Sequence, residues 1–172
     1  MLLSAAKQLL HIFNHKRLPI SVKTKTFDVY LSTIFLYNSE IWTLSESLIK
    51  KVDSFQRRML RTFVLNIKYP KTMNNKEVYQ KTNQKPWSKN ISIRRIKWLG
   101  HVCRLDPRTP ARKSLKYAID NYRRKVGRPK LTWISIINKQ LKDLNINLNE
   151  VINIAQDKTL WFDVVKRATE CS

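Results

Sequence analysis

Apolar side chains recur every three or four residues along most of the chain, which is the spacing of one face of an α-helix. The clearest run lies opposite a basic face and consists of Leu48, Val52, Phe55, Met59, Phe63 and Ile67. Thr43 and Glu46 have the spacing of a capping box, so we expect this helix to start after Thr43 and to end before Pro70. The stretch "VYLSTIFLY" at 29–37 is poor in charge and fits either a buried helix or a short strand.

Periodicity and capping residues predict helices in the rest of the chain as well, which gives an all-α fold class. These helices are expected over residues 2–15, from 21 onward, 74–82, 89–105, 110–120, 131–145, 148–156 and 157–169. Their starts are expected at Asn74 or Asn75, at Ser88, at Thr109 with Pro110, and at Asp157. The final helix is expected to bury Leu160, Trp161, Val164, Val165 and Ala168.

Positive charge is concentrated in the middle of the chain. The 172 residues include 34 Lys and Arg against 12 Asp and Glu, a net charge of +22. Residues 50–130 hold 24 of these basic residues and only four acidic ones, while the two flanks are nearly balanced. This excess predicts a polyanionic partner, with nucleic acid favoured over an anionic membrane surface. No apolar run reaches the roughly 18 residues of a membrane-spanning helix, so we expect no membrane insertion.

The segment "RRIKWLGHVCR" at 94–104 predicts a basic helix face. At about 100° per residue, one stripe holds four side chains that can reach phosphates, namely Arg94, Lys97, His101 and Arg104. Trp98 flanks this stripe and could stack on a base. Gly100 is expected to let another backbone, of protein or nucleic acid, come close. The alternative is a solvated basic face in which Trp98 and Gly100 serve only packing.

A second basic segment, "RRKVGRPK" at 123–130, contains a Gly-Arg-Pro tripeptide that resembles the core of an AT-hook. Val126 stands where that motif has an arginine, so a basic loop on the phosphate backbone is favoured over minor-groove insertion. A plain turn between helices is the other alternative. The predicted nucleic-acid-binding residues are Arg57, Arg58, Arg61, Arg94, Arg95, Lys97, Trp98, His101, Arg104, Arg123, Arg124, Lys125, Arg128 and Lys130.

The residue pattern gives little support for catalysis or metal binding. His11 and His15 are four residues apart without a nearby acidic or cysteine partner, and the carboxylates are scattered. His101 and Cys103 would point to different sides of a helix. We therefore expect no catalytic residue, no metal site, no cofactor and no small-molecule substrate. The two cysteines suggest no disulfide framework, which favours a reducing intracellular location, nuclear or cytoplasmic.

Five segments, in order, resemble the C-terminal part of non-LTR (LINE-type) retrotransposon endonuclease–reverse transcriptases. The first two are "LPISVKTKTFDVYLSTIFLYNSEIWTL" (18–44) and "VDSFQRRMLRTFVLNI" (52–67). The third, "IRRIKWLGHVCRL" (93–105), resembles the family's R-x-R-W-x-G-H-x-x-R string. The last two, "RKVGRPKLTW" (124–133) and "AQDKTLWFDVV" (155–165), resemble R-G-R-P-x-x-x-W and A-x-D-R-x-x-W. Similar strings occur in element-derived craniofacial development protein-like sequences.

The resemblance implies the thumb of an RNA-directed DNA polymerase and the basic region beyond it. On this basis residues 1–69 form a thumb-like helical bundle, 70–130 a small basic helical region that binds nucleic acid, and 131–172 a helical cap. The implied partners are RNA, DNA or an RNA–DNA hybrid, together with the polymerase palm. The family's aromatic-x-Asp-Asp motif, endonuclease and zinc knuckle are missing, so this chain alone is expected to be non-catalytic. Asn38 and Val126 depart from the family's usual glycine and arginine.

Two alternatives remain open at this stage. An open frame upstream that encodes the palm motif would make the chain part of an active polymerase. A domesticated protein-interaction module would instead use its basic surface to bind an acidic protein partner.

Overall fold

The computed structural model describes residues 2–68, 70–120 and 131–170. These ranges contain helices, turns and loops but no strand, which confirms the predicted all-α fold class. The helices are α1 Leu2–Gln8, α2 Leu10–Phe13, α3 Ile20–Thr26, α4 Thr33–Phe35, α5 Glu46–Met59, α6 Asn75–Thr82, α7 Trp87–Cys103, α8 Pro110–Asp120, α9 Trp133–Asp143, α10 Val151–Ile154 and α11 Lys158–Glu170. Wider π-helical turns occur at Phe27–Ser32 and Leu60–Val64, and a 3₁₀ turn occurs at Ser39–Ile41.

The stretch that fitted either a helix or a strand is helical. The π-turn Phe27–Ser32 joins α3 directly to α4, so the backbone is helical from Ile20 to Phe35. A π-turn inserts one residue into the helical repeat and shifts the faces that follow it. Phe27 and Leu31 are fully buried, while Val29 and Tyr30 between them are each 54% exposed.

The chain divides into two compact units, whose boundaries differ from the three segments expected from the resemblance. Unit one consists of Met1–Asn38 and Glu46–Asn90, and unit two of Ser39–Ser45 and Ile91–Ser172. The second boundary falls inside α7, after its first turn. The predicted basic region 70–130 is therefore divided between the two units.

Unit one is built around aromatic side chains. Trp87 is fully buried, and its ring centroid lies 4.3 Å from that of Phe35 and 5.8 Å from that of Phe27. Phe55 of α5 completes this group, with its centroid 6.2 Å from that of Trp87. The Trp87 indole Nε1–H donates to the Ser32 hydroxyl at 3.2 Å, so the only polar atom of the buried side chain is satisfied.

Polar side chains of α5 hold the chain that enters α7. The Gln56 carboxamide donates to the carbonyl of Lys85 at 3.0 Å and accepts from the backbone N–H of Trp87 at 2.8 Å. Asp53 accepts from both the backbone N–H and the hydroxyl of Ser88, at 2.9 and 2.7 Å. The prediction that Ser88 caps α7 is therefore wrong, because the helix begins at Trp87 and the Ser88 hydroxyl donates to Asp53.

Three other predicted helix starts agree with the structure, and one does not. Asn74 caps α6 by accepting from the N–H of Lys76 at 3.1 Å, and Asp157 precedes α11 and accepts from the N–H of Thr159 at 2.7 Å. Both predictions are confirmed, as is the start of α8 at Pro110. Helix α5 begins at Glu46, later than a cap at Thr43 would place it.

Unit two has an aliphatic core to which α7, α8, α9 and α11 all contribute. Its fully buried members include Leu99, Cys103, Ile137, Leu141, Val151 and Ala155. From α11, Trp161, Val164 and Val165 enter this core as predicted, and Ala168 packs against it. Leu160 does not, since it is 54% exposed. It precedes Trp161 by one residue and is turned by about 100° from the buried side.

Candidate nucleic-acid interface

The predicted basic stripe lies on α7 within unit two, and its members differ in exposure. Lys97 and His101 are exposed, whereas Arg94 and Arg104 are half-buried. The Arg104 guanidinium donates to the carbonyl of Ala155 at 2.9 Å, which holds α7 against the chain that follows α10. Two cations of the stripe are therefore partly used within the fold, and Lys97 and His101 offer the most accessible donors.

Trp98 lies beside this stripe, between core and solvent. It is half-buried and packs against the unit-two core, while its ring centroid is 5.2 Å from that of the exposed His101. A tryptophan with one side buried is held in place by packing and still presents part of its ring to a ligand. Packing and stacking were alternatives in the sequence prediction, and the position of Trp98 is compatible with both.

Arg95 is not on the surface, although it was among the predicted binding residues. It is 3% exposed, and its Nη2 donates to the carbonyl of Trp42 at 2.8 Å. Among the described residues its buried Nε has no hydrogen-bond partner, and burial lowers the pKa of the guanidinium. Being one residue after Arg94, it is turned by about 100° away from the stripe. Arg95 therefore binds the 39–45 segment of its own unit.

Gly100 makes a close contact, as expected, but with a side chain instead of a backbone. The indole of Trp161 from α11 occupies the space where a β-carbon at position 100 would lie. The Trp161 indole Nε1 is buried without a hydrogen-bond partner among the described residues. Gly100 therefore allows α7 to receive the indole, at the cost of about 1 kcal/mol that glycine carries inside a helix relative to alanine.

The predicted cations of unit one also differ in whether they are bonded within the fold or exposed to solvent. Arg57 Nη1 donates to the Tyr79 hydroxyl at 3.4 Å, and its guanidinium lies 6.0 Å from the centre of that ring. Burial raises the pKa of Tyr79, with the Arg57 hydrogen bond acting in the opposite direction. Arg61 Nη2 donates to the carbonyl of Met73 at 3.1 Å and to Asn75 Oδ1 at 2.6 Å. Arg58 is exposed.

Five predicted binding residues lie outside the described residues, namely Arg123, Arg124, Lys125, Arg128 and Lys130. The AT-hook-like tripeptide belongs to the same segment. What was expected of this segment stays a prediction.

The sequence prediction left out several exposed cations of unit two, among them Arg108, Lys113 and Lys116. Their signal was present in the sequence, because α8 has Leu115 and Ile119 on one side and its lysines elsewhere. Trp133 was also omitted, and it is half-buried with its Nε1–H donating to the carbonyl of Glu40 at 2.8 Å. That contact joins residues 93 positions apart, so no local pattern could have indicated it.

The described ranges contain no group of three or more His, Cys, Asp or Glu side chains arranged to hold a metal ion. Cys103 is fully buried, and burial raises the pKa of its thiol, although Arg112 and Arg104 act against that shift. A thiol in that environment is a poor nucleophile. None of the described helices is long and apolar enough to span a bilayer.

No protein family model, no curated protein and no solved structure matches this chain.

Proposed function

We propose that the chain is a non-catalytic nucleic-acid-binding module, related to the C-terminal region of a non-LTR retrotransposon reverse transcriptase. One observation carries the proposal: α7 of a chain with net charge +22 exposes Lys97 and His101, and the His101 ring lies against that of half-buried Trp98. Lysine and imidazole N–H groups donate to phosphate oxygens, and an indole face stacks on bases. The family resemblance supports the same conclusion and rests on the quoted segments alone.

The proposed mode of binding is mainly electrostatic. Basic side chains displace the counterions condensed on a polynucleotide, so affinity falls steeply as salt rises. Such contacts position the polymer without reading its sequence. The proposed partners are RNA, DNA or an RNA–DNA hybrid, in a nuclear or cytoplasmic setting.

Titration of the full chain with labelled single strands, duplexes and hybrids tests this proposal. We expect micromolar or tighter binding at about 50 mM salt and a loss of at least tenfold at about 200 mM. Fluorescence anisotropy at both salt concentrations measures the dissociation constant. Absence of binding to all three probes at the lower salt concentration would contradict the proposal.

A second candidate function is favoured by the surface of unit one. The helical run from Ile20 to Phe35 and the turn after it expose six large apolar side chains, Ile20, Val22, Val29, Tyr30, Ile34 and Tyr37. Exposed apolar groups that share a helix are common at protein–protein contacts. This surface suits a protein partner, such as the polymerase palm that the resemblance implies. An acidic partner for the basic surface is the related alternative.

Affinity capture before and after nuclease treatment separates these functions. A partner retained after nuclease, and lost when Tyr30 and Ile34 are both changed to Gln, would support a protein-interaction role for unit one. A partner that disappears on nuclease treatment would leave nucleic-acid binding as the explanation.

A further inference from the structure

An apolar pocket of about 310 Å³ opens in unit two beside the basic stripe of α7. It is lined by Ile41, Trp98, Val102, Ala111, Ser114, Leu115, Ala118 and Trp133. This volume lies at the lower end of the range for sites that bind small organic groups. Among the described residues of the lining, the Ser114 hydroxyl is the only polar side-chain group apart from the two indole nitrogens.

The two indoles of this pocket are held in place before any ligand arrives. Trp133 is the first residue of α9 and lies within a capping box in which Thr132 and Ser135 bond reciprocally. Its Nε1–H donates to the carbonyl of Glu40 at 2.8 Å, which fixes the direction of the ring. Trp98 packs on the core and against the ring of His101. Rigid aromatic rings lose little entropy when a flat group packs on them.

The two helices that supply most of the lining are basic. Helix α7 contains four Lys and Arg residues and α8 contains three, and of these Lys97, Lys113 and Lys116 are exposed. Helix α7 contains no acidic residue, and the only one in α8 is Asp120 at its end. Glu40, next to Ile41, is the nearest acidic residue in sequence to the lining. This combination suits a ligand that is flat and apolar at one point and anionic on either side of it.

We infer that the pocket receives one unstacked base of a single-stranded nucleic acid, whose phosphate backbone lies on the basic helices α7 and α8. The inference rests on the proposed function and adds the form of the ligand and the position of one base. Bases in a duplex are stacked and paired, so the pocket would favour single strands. A buried apolar side chain of a protein partner would fit the pocket but would not account for the excess of basic residues on α7 and α8.

The test compares two 12-nucleotide probes with the same number of phosphates, oligodeoxyadenylate and a fully abasic strand. Anisotropy titration of the full chain at low salt should give tight binding of both, with the base-containing probe about tenfold tighter. Ala118→Leu fills the pocket and leaves both indoles and all charges in place. It should bring the ratio of the two affinities close to one, and Trp133→Leu should do the same.

Phe162→Leu is the matched control, because Phe162 is 68% exposed on α11 and does not line the pocket. It should keep the tenfold ratio. If Trp133→Leu lowers the helical circular-dichroism signal, Ala118→Leu decides alone. Equal affinities of both probes for the unmodified chain, or an unchanged ratio in Ala118→Leu, would overturn base binding while leaving the proposed function intact. Failure of both probes to bind would overturn base binding, and it would contradict the proposed function itself if duplexes and hybrids also failed to bind.

Discussion

The two units of the chain use the same kinds of residue for different purposes. In unit one, Trp87 is completely buried in a stack of phenylalanines, and Arg57 and Arg61 bond to residues between 73 and 79. In unit two, Trp98 and Trp133 are half-buried beside a pocket, and Lys97 is exposed. By composition alone the two units look alike, because both are basic and both contain tryptophan. Burial shows that Trp98 and Trp133 of unit two keep part of their rings at the surface, whereas Trp87 of unit one does not.

Arg95 shows the same distinction within a single helix. It lies in the most basic segment of unit two, yet it is buried and bonds to the carbonyl of Trp42. Positive charge counted along the sequence therefore overestimates the charge available to a polyanion. The comparison between the units leads to the following predictions, from the largest expected effect to the smallest.

Replacing Trp87 with alanine should have the largest effect on stability. The change removes three aromatic contacts and the hydrogen bond to Ser32, and we expect a loss of about 3–5 kcal/mol in the free energy of unfolding. Urea denaturation followed by circular dichroism measures it. The same change at half-buried Trp133 should cost clearly less. Equal losses at the two positions would remove the distinction between structural and ligand-facing tryptophans.

Gly100→Ala should destabilise unit two, because the added methyl group would overlap the Trp161 indole. Overpacking of this kind costs about 1–3 kcal/mol, although alanine recovers part of that through its better helix propensity. Thermal unfolding of the single variant, of Trp161→Leu and of the double variant gives the coupling between the two sites. We expect Gly100→Ala to lower the stability less when Leu replaces Trp161. Independent, additive effects would show that the indole does not require the glycine.

Arg61→Gln should lower stability by about 1 kcal/mol, because it removes donors to the Met73 carbonyl and to Asn75. We discount the strength of these bonds since Arg61 is only half-buried. Arg58→Gln on the same helix is the control, since Arg58 is exposed and should leave the melting temperature almost unchanged. A larger loss of stability in Arg58→Gln than in Arg61→Gln would contradict the structural role given to Arg61.

Two carboxylates should produce small pH effects of opposite sign. Burial raises the pKa of Asp28, although hydrogen bonds from Gln84 and Ser32 act against the shift. Because of this raised pKa, Asp28 should lower the free energy of unfolding as pH rises between its ordinary and its raised pKa. Hydrogen bonds from Thr159 and Leu160 lower the pKa of Asp157, so its stabilising contribution is present above its ordinary pKa and is lost as pH falls through the lowered value. Carboxyl-carbon NMR titration should find Asp28 above and Asp157 below an ordinary aspartate. The reverse order would contradict both assignments.

Local sequence signals predicted the helices well and their packing partners less well. Asn74 and Asp157 bond to N–H groups two residues away, so their roles follow from neighbouring sequence. Ser88 and Arg95 have the same kind of local signal, but their partners Asp53 and Trp42 lie 35 and 53 residues away. The pocket also depends on segments that lie far apart in sequence, because its walls come from the 3₁₀ turn that contains Ile41 and from α7, α8 and α9. Only the fold brings these segments together.

The most direct test of the account compares two double variants of unit two that each remove two exposed lysines. Lys97→Gln with Lys113→Gln removes exposed charge from α7 and α8, and Lys142→Gln with Lys158→Gln removes the same charge from α9 and α11. Anisotropy titrations with a single-stranded probe across a salt series give both the affinity and its salt dependence. The account predicts that the first variant binds about tenfold more weakly, with the slope of log K against log salt reduced by about two, and that the second stays close to the unmodified chain. Equal losses in both variants would show that binding depends on overall charge and not on the basic residues of α7 and α8.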